Sequence, residues 1–117
     1  MRHLKGNKKL SKPTDQRLAL LRAIVKSLVE HKRIKTTDTR AKEARRLAET
    51  LVTYGKDGSL HSRRLALKLL PNKAVIDCVF KDLAPRYKDR NGGYTRLTKV
   101  GFRQGDAATL SLLEFLE

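Results

Sequence analysis

The sequence predicts an α+β fold. Helices pack on a small sheet of one short strand plus a C-terminal antiparallel hairpin, preceded by a basic N-terminal arm. Three observations predict it. Apolar residues recur at helical spacing in two stretches of the first half. A short β-branched run, Arg33-Ile-Lys-Thr-Thr37, lies between those stretches. A glycine-bearing loop separates two strand-like runs near the C-terminus. The 117 residues hold one domain, read as an arm over 1–13 and a globular part over 14–117.

The first helix is expected over about 15–31. Thr14 is the candidate N-cap, Asp15 suits the positive end of the helix dipole, and Leu18, Leu21, Ile24, Val25 and Leu28 form the apolar stripe. After the short strand, Thr37 or Asp38 can cap a second helix over about 38–54, ended by Gly55. Its Ala41, Ala44, Ala48 and Leu51 line one side and permit close packing, while Lys42 and Arg46 sit on the other. A stretch over about 59–70 is helical by composition but has no clean stripe. Pro71 ends it and pushes Leu70 out of helical geometry. A further helix over about 73–83 buries Val75, Cys78, Val79 and Leu83, and Pro85 ends that run. Asn91-Gly-Gly93 is a loop. Tyr94–Phe102 and Thr109–Leu116 are the hairpin strands, joined by Arg103–Ala107 with Gly105 supplying unusual dihedrals. Imperfect alternation leaves open which face of the hairpin is buried.

Charge narrows the function. Lys and Arg number 27 against 12 Asp and Glu, a net charge of +15. An excess of that size raises repulsion in a small compact domain, so a polyanionic partner, nucleic acid first, is expected. The arm carries Arg2, Lys5, Lys8, Lys9 and Lys12 with no acid. Residues 86–103 carry Arg86, Lys88, Arg90, Arg96, Lys99 and Arg103 against Asp89 alone. The tail, 104–117, has only acids, Asp106, Glu114 and Glu117. The acidic C-terminal strand is therefore expected to face solvent or a protein neighbour.

Other classes find no support. No apolar run is long enough to cross a membrane, and the first residues lack the apolar segment of a secretory signal. A reducing, cytoplasm-like compartment is expected, or the interior of an organelle that makes the chain itself. The lone Cys78 reads as a buried structural thiol. His3, His31 and His61 have no metal-binding spacing, so no metal is expected. No nucleophile–base pattern, dinucleotide fingerprint or phosphate-loop motif occurs, so no enzyme activity, cofactor or small-molecule substrate is expected. Six aromatic residues and no ribonucleoprotein motif argue against base stacking as the main mode; shape and phosphate recognition of folded RNA fits better. The Gly92-Gly93 loop among Arg86, Arg90 and Arg96 offers backbone that can approach phosphates closely. Alternatives are a small basic DNA-binding architectural protein, which would usually bring a dimer surface and apolar wedges, and an RNA-cleaving enzyme.

An ordered set of segments carries a resemblance. Met1-Arg-His-Leu-Lys5, Leu18-Ala-Leu-Leu-Arg22, Ser27-Leu-Val-Glu-His31 and Arg33-Ile-Lys-Thr-Thr37 open it. Ala41-Lys-Glu-Ala-Arg45, Ser62-Arg-Arg-Leu-Ala66, Ala84-Pro-Arg-Tyr87, Arg90-Asn-Gly-Gly-Tyr-Thr-Arg-Leu97 and Gly105-Asp106 follow. Together they resemble the bacterial large-subunit ribosomal protein family number seventeen, colinearly over nearly the whole chain. The resemblance implies a structural, non-enzymatic ribosome component with helices around a small sheet. It implies binding to large-subunit ribosomal RNA near the polypeptide exit tunnel, beside neighbouring ribosomal proteins. It carries Arg2, His3, Lys5, Arg90, Gly92, Gly93, Tyr94 and Arg96 over as RNA contacts. One segment departs: Pro13-Thr-Asp-Gln-Arg17 replaces a Ser-Ser-His-Arg run, and Asp15 opposes a phosphate there while Arg17 keeps a cation. Charge adds Lys8, Lys9, Lys12, Arg33, Lys35, Arg86, Lys99 and Arg103 as RNA-contacting candidates.

Residues 1–12 have almost no apolar content, so they are predicted to order only on RNA. Their amide resonances in the free protein should be sharp and random-coil-like; dispersed, protected amides would contradict this.

Overall fold

A computed structural model of the chain describes residues 9–116. The expected contacts Arg2, His3, Lys5 and Lys8 lie outside the described residues. The elements run α1 (Thr14–His31), β1 (Arg33–Thr37), α2 (Asp38–Asp57), α3 (Leu60–Leu69), α4 (Lys73–Cys78), a π-helical turn (Val79–Leu83), α5 (Ala84–Arg86), β2 (Thr95–Phe102) and β3 (Thr109–Phe115). The α+β class is as expected.

The C-terminal strand is the centre of the sheet. The order is β1-β3-β2, with both pairings antiparallel. Ile34, Leu113 and Leu97 share one row, and Arg33, Glu114 and Arg96 the next. Because successive side chains alternate, the rows face opposite sides. Leu113, Ser111 and Phe115 are buried, so their face packs on the helices. Arg33, Lys35, Glu114 and Arg96 lie on the open face. A bulge between Lys99 and Gly101 shifts the register of β2.

The core joins Val25, Leu28 and Val29 of α1 to the Ala41, Ala44, Ala48 and Leu51 stripe of α2, as that stripe predicted. Val75, Ile76, Val79 and Leu83 close it from the other side. The α1 stripe is fully buried only from Val25 onward; Leu21 and Ile24 are half-buried against the core and Leu18 is exposed. Cys78 is half-buried, not buried, and its Sγ lies 3.6 Å from Lys32 Nζ.

Three expectations about helix ends are corrected, and the expected capping residue of α2 is met without a side-chain bond. Pro13, not Thr14, occupies the N-cap of α1, with its carbonyl accepting from Arg17 N at 2.9 Å. At the start of α2, Thr37 is the N-cap but no side-chain cap bond forms. Asp38 instead accepts from the buried Ser111 Oγ at 2.7 Å and pairs with Lys42 at 3.0 Å, tying α2 to the sheet. The second helix runs through Gly55 and ends at Asp57, with Gly58 at φ 69 as its C-cap. Gly55 is a packing residue: a Cβ there would lie 3.1 Å from Ala84 Cβ and 3.3 Å from Val79 Cγ1. Pro85 does not stop the chain from turning. A wide i→i+5 turn precedes this residue, which has no N–H to donate, and one more turn follows to Arg86. Elsewhere, Ser59 Oγ caps α3 through Ser62 N at 3.1 Å, and Leu70 before Pro71 is extended, as expected.

Gly55→Val is predicted to overpack the α2–α5 contact and cost about 1–3 kcal/mol. The urea midpoint measures it; an unchanged midpoint would show that this contact has slack.

Candidate nucleic-acid interface

Two chain reversals and the end of β3 meet at one end of the sheet. Lys32, at φ 68, turns α1 into β1: its N–H bonds Leu28 O at 2.7 Å and its carbonyl accepts from Phe115 N at 2.9 Å. Leu116 N donates to Tyr94 O at 3.0 Å, and Tyr87 Oη donates to Leu116 O. The ends of α1, α5 and β3 and the starts of β1 and β2 therefore converge. Between them lies an open cleft of about 1000 Å³, lined by His31, Lys32, Arg33, Arg86, Arg90 and Arg96 over Phe115 and Leu116, with Glu114 the one acid.

Each cation is held differently. Arg96 Nε and Nη2 lie 2.9 and 2.8 Å from Glu114 Oε1, while the Arg96 side chain stays 62% exposed. Arg33 flanks Glu114 on its other side in the same row and has no carboxylate partner among the described residues. Lys32 Nζ is 2.8 Å from Asp82, which also lies 3.5 Å from Arg86. The hydrogen bond from Lys32, then the Lys32 and Arg86 charges, holds the Asp82 carboxyl below the usual carboxylate range. Arg90 Nη1 donates to Gly93 O at 3.3 Å, and Arg90 O accepts from Lys56 Nζ. Gly92 and Gly93 take φ 106 and 62, which a side chain would oppose. Cations outnumber acids in a concave site, so the cleft concentrates anions.

The structure brings together Arg33, Arg86, Arg90 and Arg96, with Gly92 and Gly93 behind Arg90. Lys35 extends the row of cations along the open face of β1. The others lie elsewhere. Arg17, Lys12 and Lys9 sit at the far end of α1, roughly 20 Å away by helical rise. Lys99 occupies the opposite sheet face, opposite Ser111. Arg103 is committed to the hairpin, its Nη2 and Nε lying 2.5 and 3.1 Å from the Asp106 carboxylate. Tyr94 is a buried core residue. Its ring centre lies 5.3 Å from that of Tyr87, and its hydroxyl accepts from Lys56 at 3.1 Å, so its ring braces the loop from inside. The acidic strand does not form a separate surface: β3 is the middle strand, with Glu114 inside the cleft. Lys32 and His31 also line the cleft, and sequence pattern does not single them out; the run His31-Lys-Arg33 is their only signal. Among the described residues, no group of His, Cys, Asp and Glu could hold a metal ion, and no helix is long and apolar enough to cross a membrane.

A family model described as Ribosomal protein L17 matches residues 20–116. The chain belongs to that family. It is 53% identical over 116 residues to the large ribosomal subunit protein bL17 of Dictyoglomus thermophilum, covering 99% of this chain and 100% of that protein. It is 50% identical over 117 residues to bL17 of Pelobacter propionicus, covering 100% and 92% of the two chains. Against bL17 of Clostridium botulinum it is 50% identical over 111 residues, covering 95% and 98%. A member of the L17 family is a structural protein of the large ribosomal subunit, not an enzyme.

Acid should weaken the fold in a defined window. Arg103 and then Ala108 N hold the Asp106 carboxyl at about 2, and the carboxyls of Asp38, Asp57 and Asp82 also lie below their usual range. Native values below the unfolded value of roughly 3.9 mean that the stabilisation is complete above about pH 4. It is lost as pH falls through the native values, to about 2 for Asp106. The melting temperature should hold from neutral pH to about 4 and then fall. A carbon-detected titration should show Asp106 moving up in Arg103→Ala.

Proposed function

We propose that this chain binds folded large-subunit ribosomal RNA, with the cleft of Lys32, Arg33, Arg86, Arg90 and Arg96 meeting the phosphate backbone. The single observation that supports this most is the convergence of those cations, from four separate segments, around Glu114. A cation that meets a phosphate releases a counterion, so binding gains entropy and weakens with salt. The Arg forks suit paired phosphate oxygens better than Lys would. The glycines beside Arg90 keep the loop free of side chains where a backbone would approach. The basic arm, Arg2, His3, Lys5, Lys8, Lys9 and Lys12, would make a second set of contacts by ordering on the RNA. The protein neutralises repulsion between RNA segments and holds one arrangement of them. The family resemblance supports a place near the polypeptide exit tunnel, beside other ribosomal proteins, in the bacterial cytoplasm.

Salt-titrated binding to deproteinised large-subunit ribosomal RNA, with duplex DNA as competitor, tests this. The RNA should win the competition. Arg33→Ala, Arg86→Ala and Arg90→Ala should each weaken binding and flatten log K against log salt by roughly 0.7–0.9 for every phosphate that is no longer neutralised. Glu114→Gln should steepen the slope by freeing Arg96 for phosphate. Unchanged slopes in all three arginine variants would remove the cleft from the interface; preference for DNA would overturn the reading as a whole.

A further inference from the structure

On the sheet face opposite the cleft, α2 and β2 enclose a groove of about 410 Å³ lined by Lys42, Arg45, Arg46, Glu49 and Leu97. Its acids are already occupied. Glu49 accepts from Thr95 Oγ1 at 3.0 Å and lies 3.9 Å from Arg45, while Asp38 at the groove's end is held by Ser111 and Lys42. Lys99 pairs with Ser111, whose Oγ holds Asp38, and this register places Lys99 near the same end.

Beyond Lys99 on β2 stands Phe102, 73% exposed. It is the most exposed large hydrophobic side chain among the described residues, and it follows Leu97 and Lys99 along the same face of β2. The backbone has been adapted to put it there. Lys99 pairs with Ser111 and Phe102 with Thr109, two residues apart on β3 and so on one face. Without the bulge between Lys99 and Gly101, the three-residue spacing would send Phe102 to the other face. Gly101 takes φ 147, which other residues rarely adopt, and no atom lies within 4 Å of a Cβ built on it. This glycine is therefore explained by the turn of the strand and not by crowding. Bulges re-aim side chains at functional sites in this way. Behind Phe102 the tip is rigid: Arg103 N bonds Ala108 O at 2.8 Å, Ala107 N bonds Arg103 O at 3.0 Å, and Arg103 grips Asp106.

We propose that the α2–β2 groove and Phe102 form a second RNA site, taking an unpaired nucleotide whose base stacks on the Phe102 ring while its flanking phosphates lie against Lys99 and Lys42. The proposal rests on the RNA-binding reading above. It adds a base-stacking contact to an interface otherwise made of phosphate contacts. Aromatic stacking tolerates any base, since each has a π-face, so this site would select an unstacked nucleotide and not a sequence. The chain would then hold RNA on both faces of its sheet.

The chain contains no Trp, so Phe102→Trp supplies a single fluorescent reporter that also retains stacking. The probe is the same deproteinised large-subunit ribosomal RNA. Its addition should quench the indole and shield it from iodide. Phe102→Leu and Phe102→Ala should each weaken binding about tenfold with the salt slope unchanged, and Phe102→Trp should bind like the parent. Lys99→Ala should flatten the slope. Thermal melts of all variants should match the parent, because the side chain contributes little to the core. If Phe102→Leu binds like the parent and the indole is not quenched, the proposal fails while the cleft reading stands on its arginine variants. Shielding that appears only when other ribosomal proteins are added also overturns it, by making the hairpin tip a protein contact. If the parent does not bind the RNA at all, both readings fall.

Discussion

Both edge strands of the sheet pair with β3, the last element among the described residues. Arg33 and Arg96 stand at the two sides of the cleft because each is in register with Glu114. The residues just beyond extend the same control. Phe115 N fixes the turn at Lys32, Leu116 N fixes Tyr94, and Leu116 O takes the Tyr87 hydroxyl. The cleft is thus a product of the C-terminal strand, although the strand contributes no cation to it. Pairing β1 with β3 spans most of the chain, so this closure carries a large loop entropy. The helices between them make shorter-range contacts that can offset part of that cost before the sheet is complete.

The concentration of positive charge is tolerated through the placement of a few acids. Asp82 stands between Lys32 and Arg86, Glu114 between Arg33 and Arg96, and Asp106 against Arg103. Each pair is solvated and contributes little to stability on its own. Their effect is geometric: each carboxylate holds a guanidinium or ammonium in one orientation while leaving the surroundings positive. A phosphate entering such a site meets cations already arranged. The remaining repulsion favours a partner that is itself a polyanion.

Small residues set where the cations end up. Gly55 lets α2 come close to Val79 and Ala84, and the wide turn before Pro85 carries the chain one turn further to Arg86. A shorter helix ending ahead of Pro85 would leave Arg86 in a loop. Tyr87 and Tyr94, packed on each other beneath the glycine loop, keep Arg90 at the cleft's rim. Aromatic residues here support the loop from inside, and the exposed ring is instead Phe102 on the opposite face.

Local pattern suffices for several features. The alanine stripe of α2 predicts its buried face, because a helix's period is a property of its own residues. Pro71 predicts the extended Leu70 for the same local reason. The short strand, the hairpin and the basic arginines around Gly92-Gly93 are also legible in the sequence. Gly55 is not, because a glycine near a helix's end signals a cap by local rules, whereas only the approach of Val79 and Ala84 requires it there. Tyr94 is not, because its neighbours in sequence are basic and its neighbours in space are Tyr87 and Lys56. The sequence by itself determined the class of fold and the excess of positive charge, since these depend on composition and on spacings of a few residues. Only the tertiary structure decided which cations share a cleft, that an acidic strand lies between them, and to which face Phe102 turns. Those depend on strand register and on one bulge, set by pairings between residues that are distant in the chain.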